Sequence, residues 1–199
     1  MQLIAASQNA HKIKEINEIT ASFGFDMVSM KEAGLGDLDI EETGTTFEEN
    51  SLIKAEAIVR LTGKTAIADD TGLMIDALDG APGVYSARFS GEHGNDAANR
   101  AKVLELMKDV PEEKRTARFV CVITLLYPDG KKLVARGTCE GKIAAEEIGE
   151  KGFGYDSIFI PEGQNITFAQ MGSEGKNLIS HRANALRLLK EALEKEGLR

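Results

Sequence analysis

No run in this 199-residue sequence approaches the roughly 20 consecutive apolar side chains that a helix needs to cross a bilayer. Residues Met1 to Ala6 lack a basic cluster ahead of an apolar stretch, so no secretory signal and a cytoplasmic location are expected. No block of Lys or Arg interrupts a net charge of −8, which argues against a duplex nucleic-acid binder. The two cysteines, Cys121 and Cys139, have neither metal-ligand spacing nor a pairing pattern and read as buried, reduced thiols. Familiar catalytic signatures are missing too. Gly175-Lys176 is no phosphate-binding P-loop, because Gln170 stands five positions before Gly175 and Asn177 follows the lysine. There is no His-Glu-x-x-His and no Gly-x-Ser-x-Gly, which sets aside zinc proteases and serine hydrolases. Without a repeat, low-complexity tract or linker, one domain over residues 1–199 is expected.

What is present is ordinary for a globular protein, with 42% apolar and 28% charged residues. An acidic chain can still hold a polyphosphate if a divalent cation bridges its carboxylates to the phosphates. Gln2 to Ala6 reads as a short buried strand, followed by a helix with Ile13, Ile16, Ile19 and Phe23 on its apolar face and Gly24 as its stop. Residues 34–45 have no periodicity and read as an ordered loop. Thr46-Phe47-Glu48-Glu49 is a capping box that opens a second helix. Thr65 to Ala68 is a buried strand expected to end at Asp69-Asp70. A third helix is expected over about Asp96 to Met107. Arg115–Tyr127 and Lys131–Thr138, joined by Pro128-Asp129-Gly130, form a long antiparallel hairpin. A short strand at Ile158–Ile160 and a last helix from near Ser180 to Gly197 complete a mixed-sheet α/β pattern.

Five segments can carry chemistry. In Ser7-Gln8-Asn9-Ala10-His11-Lys12, a cap at Asn9 puts Lys12 in the first helical turn, where a cation opposes the macrodipole unless an anion lies there. A capped helix with a solvated lysine is the competing account. Glu41-Glu42 and Asp69-Asp70 offer carboxylates to a hard cation and to a water, although acidic pairs are common in plain loops and turns. Adjacent strand residues face opposite sides, so only one of Asp69 and Asp70 is expected to serve the site. Asn50 and Lys54 share a helical face; Glu49 is assigned to the capping box instead. Gly152-Phe153-Gly154-Tyr155-Asp156 presents an aromatic between glycines, either a plate for a base or a core plug. Lys176 with Ser180-His181-Arg182 again gathers cations at a helix start.

Together these segments resemble the inosine triphosphate pyrophosphatase family, which hydrolyses non-canonical purine nucleotides. The matching stretches are Ser7-x-Asn9-x-x-Lys12, Glu41-Glu42-Thr43-Gly44, Thr46-Phe47-x-Glu49-Asn50-x-x-x-Lys54-Ala55, Ile67 to Leu73, Gly80 to Phe89, Gly152 to Asp156, and Ser180-His181-Arg182. The resemblance implies a two-lobed α/β fold with a long mixed sheet flanked by helices, a nucleotide cleft between the lobes, and a homodimer. It also implies Mg²⁺-dependent cleavage of ITP, dITP or XTP to the monophosphate and pyrophosphate. Ser7, Gln8, Asn9, Ala10, His11 and Lys12 would then bind the substrate, with Ser7, Asn9 and Lys12 on the triphosphate. Glu41 and Asp70 would hold the metal, with Asp70 as general base. Asn50 and Thr71 would touch substrate, and Lys54 and Lys176 would add positive charge near the phosphates. Phe153 would stack on the purine, and Gly154, Tyr155, Asp156, His181 and Arg182 would complete the base and sugar pocket. The competing enzyme reading is a pyrophosphatase for other modified nucleotides, like the septum-inhibition proteins, and the alternative of another class is a nucleotide-binding module without turnover. Three positions depart from the family pattern: Thr71 replaces Ser, Ser51 replaces Ala, and Ser157 replaces Pro. Ser157 is expected to loosen the turn after the base pocket.

Overall fold

The structure is a computed structural model that describes residues 2–20 and 23–197. Its elements in chain order are β1 (Gln2–Ala5), α1 (Ala10–Thr20), β2 (Asp26–Ser29), α2 (Phe47–Thr62), β3 (Ala66–Ile75), α3 (Asp96–Met107), β4 (Thr116–Leu126), β5 (Lys132–Ile143), β6 (Phe159–Pro161), α4 (Phe168–Ile179) and α5 (His181–Lys195). One six-stranded sheet runs in the order β2-β1-β3-β4-β5-β6. β1 is parallel to β2 and to β3, pairing Ile4 with Val28 and with Ala66, whereas β5 and β6 are antiparallel. β4 and β5 are hydrogen-bonded neighbours joined by residues 127–131, a link too short for a parallel crossover. The sheet is therefore mixed, as the sequence pattern predicts.

Several boundaries differ from the sequence expectations, each for a physical reason. β3 does not stop at the Asp pair but continues to Ile75, because both carboxylates meet cations and Leu73 and Ile75 beyond them are fully buried. β5 extends five residues past Thr138, its alternation of exposed and buried positions continuing through Cys139. β2 is one exposed and three half-buried residues with little sequence signal. α4 was not expected at all: its glycines hide it, and Gly172 kinks it at φ 77°. α1 is described over Ala10–Thr20, residues 21–22 of the expected helix lie outside the described residues, and Phe23 packs against the core.

The chain divides into two compact units. One comprises residues 1–70, 121–137 and 182–199, the other residues 71–120 and 138–181. In the first unit, Leu3, Ile16, Ile67, Ile123, Leu186 and Leu189 form one core cluster, and Ile4, Ala55, Ile58 and Ala68 a second. Burying each Leu or Ile contributes roughly 1.5–3 kcal/mol. In the second unit, Leu73, Val103, Phe119, Phe159 and Phe168 lie at the centre, with the Phe119 and Phe159 rings edge-to-face at 4.7 Å. Cys121 and Cys139 are both buried, and neither forms a disulfide. Among the described residues no helix is long and apolar enough to cross a membrane.

Candidate active site

In the first unit, β1 delivers the chain into the Ser7–Asn9 turn. Ser7 Oγ accepts from the Asn9 amide at 3.2 Å, and Asn9 Oδ1 accepts from the His11 and Lys12 amides at 3.0 and 3.1 Å. Asn9 is therefore the helix cap the sequence predicts. Gln8 turns away to tie down the following loop, donating to the carbonyls of Gly36 and Leu38 at 3.2 and 2.7 Å. Ala10 and His11 open α1 and are exposed. The cationic misfit of Lys12 is balanced from within the protein, because its Nζ lies 3.2 Å from Asp69 Oδ2.

The Asp pair divides its work by strand alternation. Asp69 takes Lys12 on one side and Arg182 Nη2 at 3.1 Å, and Arg182 Nη1 also donates to Glu15. Arg182 is fully buried, and burial opposes its charge, yet Asp69, Cys121 and Glu15 together outweigh this and hold the guanidinium above the ordinary arginine range. Arg182 is thus grouped with the Asp69 carboxylate, and Glu15 joins it without any motif to announce it. Asp70 faces Lys54, whose Nζ is 3.1 Å from Asp70 Oδ1 and 2.5 Å from Glu42 Oε1. Burial works against the Lys54 ammonium, but the carboxylates of Asp70, Glu42 and Asp69 outweigh it and raise its proton affinity. Burial likewise pushes Asp70 above the ordinary aspartate range, against the pull of Lys54 and Lys12. Asp70 Oδ2 is buried without a hydrogen-bond partner.

The sequence expectation placed Glu41 beside Asp70; the geometry brings Glu42 there instead. Exposed and half-buried residues alternate through Asp39–Gly44, so neighbours face opposite sides. Glu41 is on the exposed side with Asp39 and lines a groove with Leu52 and Glu56. Alternation in the loop was the signal that could have separated the two. Asn50 is fully buried, and its Oδ1 accepts from the Gly44 amide at 2.8 Å. A side chain at Gly44 would come within 2.6 Å of that oxygen, so glycine is required by the close approach. Glu49 Oε2 accepts from the Thr45 and Thr46 amides, completing the capping box. The first turns of α2 thereby hold the Glu42 loop and supply Lys54.

In the second unit, the Gly152–Asp156 turn uses left-handed backbone at Gly152 (φ 81°) and Gly154 (φ 61°). Asp156 Oδ2 accepts from the Phe153 amide at 3.0 Å and from Lys176 Nζ at 2.7 Å. Lys176 Nζ lies 4.5 Å from the Phe153 ring centroid, so the half-buried ring already has a cation against one face. Lys176, for which the resemblance implies positive charge near the phosphates, is grouped with Phe153 and Asp156 in this unit. Tyr155 is buried with its hydroxyl donating to the Ser86 carbonyl at 2.7 Å; burial raises its proton affinity, and it serves as a strut. His181 is buried and stacks on Phe119 at 4.6 Å. Thr71 follows Asp70 on β3 and is half-buried. Ser157 does not loosen the turn: it is buried, and its Oγ donates to Glu147 Oε2 at 3.1 Å. The replaced Pro offers no such hydroxyl. Ser51 also gains a partner, bonding Thr124 Oγ1 at 2.7 Å between α2 and β4.

Comparison with known proteins bears on both groups. Residues 3–192 match the sequence model of the Ham1 family. A dITP/XTP pyrophosphatase of Oceanobacillus iheyensis is 48% identical over 192 residues, covering 96% of this chain and 98% of that protein. A dITP/XTP pyrophosphatase of Bacillus subtilis is 48% identical over 193 residues, covering 97% of each. Among solved structures, the Staphylococcus aureus Ham1 protein matches with a TM-score of 0.87 at 43% identity, covering 98% of this chain and 100% of that one. The likeness runs through sequence and fold over almost the full length, and the chain that carries Asp70, Lys54 and the Gly152–Asp156 turn belongs to the Ham1 family.

Proposed function

We propose that this chain hydrolyses deaminated purine nucleoside triphosphates, ITP, dITP and XTP, to the monophosphate and pyrophosphate in a Mg²⁺-dependent reaction. The observation that carries this reading is Asp70, a buried carboxylate with one oxygen unpartnered, set beside Lys54 and Glu42. The names of the relatives supply the substrate class.

The residues present fit a magnesium ion. Mg²⁺ usually takes one or two protein carboxylates and leaves its other positions to water and substrate phosphates, so a larger cluster is not needed. Among the described residues no group of three or more His, Cys, Asp or Glu could hold a metal, whereas Lys54 draws Glu42 and Asp70 together as a pair. Glu42 and Asp70 would hold the ion, and when bound it would offset phosphate charge that a chain of net charge −8 otherwise repels. Lys12 and the capped start of α1 hold phosphate oxygens through charge and backbone N–H groups. Asp70 takes the proton of the attacking water at Oδ2, and the Lys54 ammonium beside it favours the ionised carboxylate, partly offsetting the burial that raises its proton affinity. The Phe153 ring stacks on the purine, its other face already held by Lys176.

Selectivity for a 6-oxo purine follows if donors of the base pocket meet the oxygen and leave an adenine amine facing a donor; a buried mismatch of that kind discriminates by roughly 10⁴-fold. A homodimer and a cytoplasmic setting belong to the same proposal and rest on the family resemblance; sedimentation checks the first. The decisive experiment incubates the protein with XTP or dITP and Mg²⁺ and identifies the product. Pyrophosphate release that chelation stops is expected. Orthophosphate release, or equal kcat/KM for dITP and dATP, overturns the reading.

A further inference from the structure

The Phe153 turn is held by a helix that no motif connects with it. Asp96 is the first residue of α3, and its Oδ2 accepts from the Gly154 amide at 2.8 Å. Arg100 lies one turn later on the same face, and its Nη1 donates to the Gly154 carbonyl at 2.9 Å. These two contacts fix the peptide planes on either side of Gly154. Asp156 fixes the plane before Phe153 through the Phe153 amide. Three successive planes are therefore pinned by side chains, and the backbone angles of Phe153 are set by the first two of them. A swing of the ring with its backbone would break at least one of these bonds.

Arg100 is itself braced. Its Nε donates to Glu147 Oε2 at 2.8 Å, and the same oxygen accepts from Ser157 Oγ. The helix that carries the clasp is anchored at its start. Asn95 caps it through the Ala98 amide, and Asn99 Oδ1 accepts from the Ser90 amide at 2.7 Å. Gly154 sits at positive φ, a conformation that glycine leaves readily in solution, so external ties are what keep the turn in one shape. Charge-assisted bonds of this kind are roughly twice as strong as neutral ones.

We infer that Asp96 and Arg100 are positioning residues for the base: they clasp Gly154 so that Phe153 is preset to receive the purine, with Glu147 and Ser157 bracing Arg100. The inference rests on the reading that Phe153 stacks on the base, and it goes beyond that reading by assigning where affinity and selectivity are set. Preset geometry lowers the ordering cost of binding, and it acts on binding without touching the reacting phosphates. Loss of the clasp should therefore move KM and leave kcat in place.

The test compares wild type with Arg100→Met, Asp96→Ala and Asp96→Asn. It measures pyrophosphate release from dITP and dATP, and binding of a non-hydrolysable α,β-methylene ITP analogue. Arg100→Met and Asp96→Ala are expected to raise KM and the analogue Kd about 10-fold with kcat within about twofold, and to narrow the dITP-over-dATP preference. Asp96→Asn keeps an acceptor oxygen for the Gly154 amide and is expected to restore binding to within about threefold of wild type. A merely structural tie would instead lower the melting temperature and the active fraction, with KM, Kd and preference unchanged; that result overturns the inference. If Asp96→Ala does not fold, Arg100→Met and Asp96→Asn carry the same comparison. If wild type itself neither binds nor cleaves dITP, the substrate reading falls, and this inference falls with it.

Discussion

Asp70 is buried with its proton affinity raised, so keeping it ionised works against the fold while the chemistry requires it. The sign follows from linkage. A carboxyl whose folded-state pKa lies above its unfolded value stabilises the fold at low pH, and that contribution is lost as pH rises through the folded value. In metal-free protein at neutral pH, Asp70→Asn is therefore expected to melt no lower than wild type, and the difference should vanish on acidification. The same change should lower kcat by roughly 10²- to 10⁴-fold, the range for loss of a general base. A lower melting temperature at neutral pH, or retained turnover, would contradict this account. Wild-type kcat is expected to fall on acidification as Asp70 takes up its proton, which a pH–rate profile reads directly. Glu41 and Glu42 give a second, sharper test, because they differ only in which side of the loop they face. Glu42→Gln is expected to raise the Mg²⁺ concentration for half-maximal rate about 10-fold or more, whereas exposed Glu41→Gln stays within about twofold. The opposite ranking would return Glu41 to the metal.

At the scale of elements, α2 ties local folding to chemistry. Its capping box fixes Thr45 and Thr46, Asn50 fixes Gly44, and Lys54 two turns in meets Glu42 and Asp70. The cap was legible in Thr46-x-x-Glu49, and so were α3, the β4–β5 hairpin and the Leu186–Leu189–Leu193 stripe of α5, because each rests on spacing within one short segment. What could not be read rests on contacts between distant segments. β3 passes through two aspartates because Lys12, Lys54 and Arg182 reach them from elsewhere in the chain, and α4 buries Phe168 and Ala169 before its kink at Gly172 and Lys176 after it. The choice of Glu42 over Glu41 and the pairing of Arg182 with Glu15 belong to the same class, since no local pattern encodes them. Two substitutions separate the cap from the tether. Thr46→Ala should cost about 1 kcal/mol of stability, the usual cost of losing a side-chain cap, with kcat nearly unchanged. Asn50→Ala frees the Gly44 amide and should weaken the Mg²⁺ response more than Thr46→Ala does at equal loss of stability. Equal effects of the two on metal dependence would show that the tether has no separate role.

For the molecule as a whole, the net charge of −8 sets the terms on which a triphosphate is bound. Fields of that sign disfavour a polyanion at long range, and physiological salt screens them beyond about 8 Å. Close attraction is then left to Lys12, Lys54 and the capped start of α1, each already facing a carboxylate or a side-chain amide oxygen, so little free positive charge is available without a cation. Nucleotide and Mg²⁺ should therefore bind as linked ligands, each strengthening the other's hold on the folded state. A ligand present at 100 times its Kd stabilises the folded protein by about 2.7 kcal/mol, and for a chain of this size each kcal/mol raises the melting temperature by roughly 2–4 °C. Scanning calorimetry with the α,β-methylene ITP analogue is expected to show a rise of about 5–10 °C when Mg²⁺ is present, and a far smaller one in chelator. Glu42→Gln should shrink the rise at fixed Mg²⁺ and recover it as Mg²⁺ is increased, because what it loses is grip on the cation. A shift of full size in chelator would mean that the protein's own cations suffice for the triphosphate, and the pairing of Glu42 with Asp70 would then need another purpose.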